Sequence, residues 1–141
     1  MKQYCDFLII GSGIAGLTYA LKVAPYGKVV VLTKSVLDET ATHYAQGGIA
    51  GVMYSPDNYE KHIHDTIVAG AGLNNENVVR FTIEESTERI RELINFGTQF
   101  DKNTDGEYDL AREGGHSEKR IFHYKDRTGA EIQRALTEQI R

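Results

Sequence analysis

The apolar run Phe7-Leu8-Ile9-Ile10 leads directly into Gly11-Ser12-Gly13-Ile14-Ala15-Gly16. This succession constrains the fold more than any other feature, because G-x-G-x-x-G has structural meaning only where a strand feeds a helix. Residues 6–10 read as a strand apolar on both faces, as in the centre of a parallel sheet, and residues 14–23 carry a helical pattern. Gly11 is expected at the tight turn, Gly13 where a pyrophosphate nears the backbone, and Gly16 where helix packs on strand. The helix N–H groups and the positive end of its dipole then face the phosphates. Pro25 and Gly27 stop the helix, and Val29-Val30-Val31-Leu32 supplies the second parallel strand of a βαβ unit.

A dinucleotide fold of this kind usually carries an acid at the end of its second strand, where a carboxylate accepts from ribose hydroxyls. Thr33-Lys34 stands there instead. Lysine cannot accept those bonds and threonine accepts them weakly, which disfavours an ordinary NAD dehydrogenase. Lys34 is equally compatible with pairing to a phosphate and with lying solvated along the loop.

A second glycine motif follows in Ala41-Thr42-His43-Tyr44-Ala45-Gln46-Gly47-Gly48. Further blocks are His64-Asp65-Thr66, Ala69-Gly70-Ala71-Gly72, Arg112-Glu113-Gly114-Gly115-His116-Ser117, Arg120-Ile121, and Asp126 with Thr128-Gly129. Their order resembles the FAD-binding start of the fumarate reductase and succinate dehydrogenase flavoprotein superfamily, and within it the L-aspartate oxidase family. The resemblance implies an α/β, Rossmann-like FAD-binding domain with a parallel sheet, incomplete in this chain. It also implies FAD bound through Gly11, Ser12, Gly13, Ile14, Ala15, Gly16, Thr33, Lys34 and the segment Ala41, Thr42, His43, Tyr44, Ala45, Gln46, Gly47 and Gly48.

Two positions separate members of that superfamily. Respiratory members carry a flavin-linked histidine at the place aligned with Ala41; alanine has no nucleophile, so non-covalent FAD is implied here. His43 lies two residues from that place. The L-aspartate oxidase family carries a glutamate at the place of Glu113 that orients substrate near its amino group, whereas the dicarboxylate enzymes lack an acid there. The physical reason is direct: a carboxylate gives an ammonium a charge-assisted partner and repels a plain dicarboxylate. Arg112 and Arg120 are candidates for substrate carboxylates, although arginines are more often surface residues. His116 could donate to a carboxylate or orient the loop.

By resemblance, the chemistry is oxidation of L-aspartate to iminoaspartate, with oxygen or fumarate as electron acceptor and quinolinate synthase as the next enzyme in NAD biosynthesis. An arginine and a histidine that complete such a site in relatives have no counterpart among these 141 residues. The chain is therefore expected to be the N-terminal part of an FAD-binding domain, lacking the later FAD-binding, capping and helical parts, and inactive alone. Residues 129–141 read as an amphipathic helix with Ile132, Leu136 and Ile140 on one face and no capping signal.

Between the motifs, residues 58–69 and 77–96 read as helices, the second with Val79, Ile83, Ile90 and Leu93 on one face. A Glu85–Arg89 pair is expected on its solvated side. Residues 103–106 read as a polar turn. The net charge of -4, without a dense basic stripe, argues against nucleic acid as the main ligand. Apolar runs are too short to span a bilayer, and Cys5, the sole cysteine, fits a cytoplasmic location. His62 and His64, two apart on a helix, cannot chelate one metal together, and His64-Asp65 is placed near the dinucleotide or in a capped helix.

Overall fold

In the computed structural model, which describes residues 2–140, the apolar run before the glycine loop and the triple valine form the expected parallel pair. Strand β1 (Phe7–Ile10) lies against β2 (Val29–Leu32) with Phe7 opposite Val29 and Ile10 opposite Leu32. Helix α1 (Ile14–Val23) connects them, followed by a tighter 3-10 turn, Ala24–Tyr26, that carries Pro25 near its start, where the missing N–H costs no helical bond. Gly11 has φ +111°, which opens the turn, and a Cβ on Gly16 would overlap the Gly11 carbonyl oxygen. Both glycines therefore serve the strand-to-helix junction as the sequence predicts.

The sequence makes β1 a strand buried on both faces; the structure buries one. Ile9 is buried, while Leu8 and Ile10 are 58% and 80% exposed and Leu32 is 55% exposed. Among the described residues β1 and β2 form a two-stranded sheet, so nothing covers the opposite face.

After a short helix α2 (Ala41–Tyr44) the chain makes strand β3 (Ile49–Ala50) and then α3 (Tyr59–Ala69) and α4 (Glu76–Asn95). Local chemistry sets these boundaries. The Asn58 side chain accepts from Lys61 N at 2.9 Å to start α3, the Asn75 side chain accepts from Val78 N at 3.3 Å to start α4, and Gly97, at φ +95°, follows the end of α4. The Glu85–Arg89 pair forms at 3.4 Å. Strands β4 (Leu110–Ala111) and β5 (Ile121–Phe122) join β3 in an antiparallel sheet of order β3-β5-β4, which the sequence reading does not anticipate. Helix α5 (Thr128–Ile140) completes the described chain.

Two apolar clusters hold these elements. Leu17 of α1, Leu93 of α4, and Ile132 and Leu136 of α5 form the first. Ile90, Phe100, Leu110 and Phe122 form the second, where the Phe100 and Phe122 rings meet at 5.3 Å. Ile49 packs against both, so β3 joins the nucleotide half of the molecule to the antiparallel half.

Candidate functional site

The β1–α1 turn, the end of β2 and the segment leading into α2 enclose a cleft of about 580 Å³. Gly11, Ser12, Gly13, Thr33, Lys34, Ala41 and Thr42 line it together with Ile10, Leu32, Glu39 and Thr40. These seven predicted residues come from three separate stretches of sequence, and the fold brings them to one place. The start of α1 has no side-chain cap at Gly13 and no acidic residue in its first turn, which leaves the positive helix end open to an anion. The Ile14 N–H donates to Thr42 Oγ1 at 3.0 Å, so the second motif touches the helix start directly.

The cleft walls are fastened from below. Ser12 Oγ lies 3.2 Å from Thr33 Oγ1 and donates to Leu37 O at 3.0 Å. The wholly buried Gln133 of α5 donates from Nε2 to Ser12 O at 2.9 Å and Leu37 O at 3.0 Å, and its Oε1 accepts from Thr40 Oγ1 at 3.0 Å. The same Thr40 hydroxyl accepts from His43 N at 3.1 Å, capping α2. One amide thus satisfies three groups on two segments, the glycine loop and the stretch leading into α2.

Other predicted residues lie elsewhere. The His43 side chain lines a separate depression with Asp38, Ala130, Arg134, Thr137 and Glu138. Tyr44 is 62% exposed and its hydroxyl donates to Glu39 Oε2 at 3.0 Å, which raises its pKa. Ile14 and Ala15 line a groove between α1 and α4, so toward the cleft they offer backbone alone. Ala45 O accepts from Gly129 N at 3.0 Å, tying α2 to α5.

Glu113 comes near Gly47 without a hydrogen bond between them. A Cβ on Gly47 would stand 4.0 Å from Glu113 Oε1, so the exposed carboxylate faces the Gln46-Gly47-Gly48 loop. Glu113 lies in the connection between β4 and β5, whose base is closed by Arg120 N donating to Ala111 O at 3.2 Å.

Beneath this connection lies a charged cluster that corrects the reading of Arg120. Rather than a surface residue or a free ligand for carboxylates, Arg120 is completely buried. Its Nε and Nη2 donate to the two oxygens of Asp57 at 2.8 and 2.7 Å, and Nη1 donates to Asp65 Oδ2 at 2.6 Å. Nη1 also lies 3.0 Å from His116 Nδ1. A guanidinium cannot accept, so Nδ1 is the acceptor and the imidazole carries its proton on Nε2. His116 Nδ1 in this arrangement is occupied by the Arg120 guanidinium. Burial acts to raise the Asp65 pKa, but hydrogen bonds from Arg120 and Ser117 prevail and hold it at about 2. His62, buried beside His116, is pushed down to about 4 by burial and by the Arg120 charge. His64 and Asp65 thus sit in an asparagine-capped helix, where Asp65 serves this cluster and His64 is exposed; neither lines the cleft at the glycine loop.

The sequence reading missed Thr40, Asp57, Gln133 and the buried role of Arg120. Thr40 alone left a local signal, a hydroxyl residue just before a short helix. Arg120 and Asp57 are 63 positions apart, and no spacing rule connects them.

Comparison with known proteins agrees with this geometry. The family model described as FAD binding domain matches residues 6–141. L-aspartate oxidase 2-b, chloroplastic, of Nicotiana tabacum is 55% identical over 99% of this chain, which spans 22% of that relative. The L-aspartate oxidase of Vibrio cholerae is 50% identical over 96% of the chain, which spans 26% of it. The chain therefore covers about a quarter or less of the length of these relatives. Among solved structures, Mycobacterium smegmatis Sdh1 superposes with a TM-score of 0.89 at 35% identity, covering 96% of this chain and 23% of that one. A quinol-fumarate reductase superposes with a TM-score of 0.90 at 28% identity, covering 99% and 25%. The relatives overturn the cytoplasmic expectation, since those from Nicotiana tabacum, Oryza sativa and Arabidopsis thaliana are chloroplastic. A lone cysteine excludes an internal disulfide but carries no address. Among the described residues no helix is long and apolar enough to cross a membrane.

Proposed function

The chain belongs to the FAD binding domain family, and from that premise we propose that it forms the N-terminal part of the FAD-binding domain of an L-aspartate oxidase. The whole enzyme oxidises L-aspartate to iminoaspartate, uses oxygen or fumarate as electron acceptor, and feeds quinolinate synthase in NAD biosynthesis. The observation that carries this reading is Glu113 Oε1 beside Gly47, a carboxylate at the loop that the resemblance assigns to the flavin.

The residues present fit the cofactor. The open start of α1 and the Gly11–Gly13 backbone suit the pyrophosphate, Thr42 holds the loop against that helix start, and Lys34 brings a cation to the cleft wall. Ala41 lines the cleft without a side chain able to form a covalent link, so FAD is held non-covalently. When bound, FAD supplies the acceptor for the substrate's two electrons. Glu113 would accept from the substrate ammonium and so hold the amino group of the substrate in the site. The groups that move protons and bind the substrate carboxylates come from later residues of the longer polypeptide.

The decisive experiment mixes the complete FAD-loaded polypeptide anaerobically with L-aspartate or with succinate and follows flavin absorbance. Bleaching by L-aspartate alone is the expected result. Bleaching by succinate alone assigns the protein to the dicarboxylate branch, to which the Sdh1 and quinol-fumarate reductase superpositions would equally belong.

A further inference from the structure

Glu113 sits in a segment with little to hold it. Arg112, Glu113, Gly114 and Gly115 are all exposed, two of them are glycines, and the turn's own backbone bond is His116 N to Glu113 O at 3.2 Å. A glycine pair loses more conformational freedom on ordering than other residues, so a fixed carboxylate here needs an external tie.

That tie comes from α3. Asp65 Oδ2 accepts from Ser117 N at 2.8 Å, from Ser117 Oγ at 2.8 Å and from Arg120 Nη1 at 2.6 Å. Three donors from the β4–β5 connection converge on one oxygen of that helix, which also meets the connection through the Lys61–Glu118 ion pair and through the His62 and His116 rings, 5.4 Å apart. Arg120 is in turn fixed by both oxygens of Asp57, and it holds His116 Nδ1 on the same connection. The tie is therefore charge-assisted and rigid at its root, and Ser117 is its outermost grip on the loop.

We propose that Asp65 is a positioning residue for Glu113: by gripping Ser117 and Arg120 it holds the Glu113 turn against Gly47 and so sets affinity for the amino group of the substrate. This rests on the reading of Glu113 as the substrate contact. The effect acts on binding, because Asp65 neither faces the nucleotide cleft nor touches the Gln-Gly-Gly loop in the observed contacts.

The test uses the complete polypeptide with FAD and two variants, Asp65→Asn and Ser117→Ala. Asp65→Asn should raise KM for L-aspartate about tenfold or more, with kcat and FAD content within about twofold. Ser117→Ala removes a single exposed hydroxyl and should raise KM about threefold, again with kcat held. Amide hydrogen exchange across residues 113–117 should quicken about tenfold in both. Should Asp65→Asn fail to fold, Ser117→Ala decides alone. Unchanged KM with unchanged exchange overturns the proposal, as does an equal fall in kcat with KM held. If wild-type protein is not bleached by L-aspartate, the functional reading fails by itself, and exchange at 113–117 then judges the tie: quickened exchange supports it and unchanged exchange overturns it.

Discussion

Glu113 stands out because its carboxylate is exposed yet directed at Gly47. Removing its charge while keeping its shape should separate the two ligand classes. Glu113→Gln is expected to lower kcat/KM for L-aspartate about 10- to 100-fold, the worth of a charge-assisted bond, while binding of succinate is retained or strengthened. Steady-state kinetics and a flavin difference titration with succinate check this, and equal losses for both ligands would remove the role. His62 offers a second handle. Its folded pKa of about 4 lies below the ordinary 6.5, so the unfolded chain binds a proton that the folded chain refuses. The corresponding stability is present in full above pH 6.5, declines as pH falls, and is lost by about pH 4; the shift corresponds to roughly 3 kcal/mol. His62→Phe should flatten that part of the stability profile in denaturant melts from pH 7 to 4. The depressed Asp65 acts in a lower window, with stability lost as pH falls from 3.8 through about 2.

At the scale of elements, the cleft depends on how α5 meets the glycine loop. Gln133→Ala would leave Ser12 O, Leu37 O and the Thr40 hydroxyl without their buried partner. A cost of about 1–3 kcal/mol is expected in thermal unfolding, with a fall of about tenfold in FAD affinity by flavin fluorescence titration. Unchanged FAD affinity alongside lower stability would confine Gln133 to a packing role. Helices α1, α3, α4 and α5 were legible in the sequence to within a residue or so, with Asn58, Asn75 and Gly97 placing the boundaries of α3 and α4 by local bonding, whereas the four-residue α2 was not. The strands β3, β4 and β5 were not legible. Each has two residues, too few for an alternating pattern, and Ile49 finds its partner Phe122 only after α3 and α4 have intervened.

For the whole molecule, the uncovered face of the β1–β2 pair carries Leu8, Ile10 and Leu32 at 58%, 80% and 55% exposure. Residues 1–141 expressed alone should therefore self-associate and bind a hydrophobic dye, and should not oxidise L-aspartate with added FAD. Size-exclusion chromatography with light scattering and an oxygen electrode measure both; a monodisperse monomer or robust turnover contradicts the respective expectation. The same face explains what sequence pattern could and could not convey. The unbroken apolar content of residues 6–10 correctly gave a parallel strand, whereas the burial it led one to expect on both faces is seen on one among the described residues. Likewise the glycine loop announced the nucleotide cleft, whereas the Asp57–Arg120–Asp65 cluster depends on long-range meeting and announces nothing locally.

The Gln133 contact also sets a schedule. Ser12 and Gln133 are 121 positions apart, and at a synthesis rate of about 5–20 residues per second roughly 6 to 24 s separate the first from the second. During that interval the glycine loop has emerged without the amide that fixes its carbonyl. On the proposed reading, a nascent chain gains a firm grip on its cofactor only when α5 arrives, long after the glycine loop proposed to face the phosphates has been made.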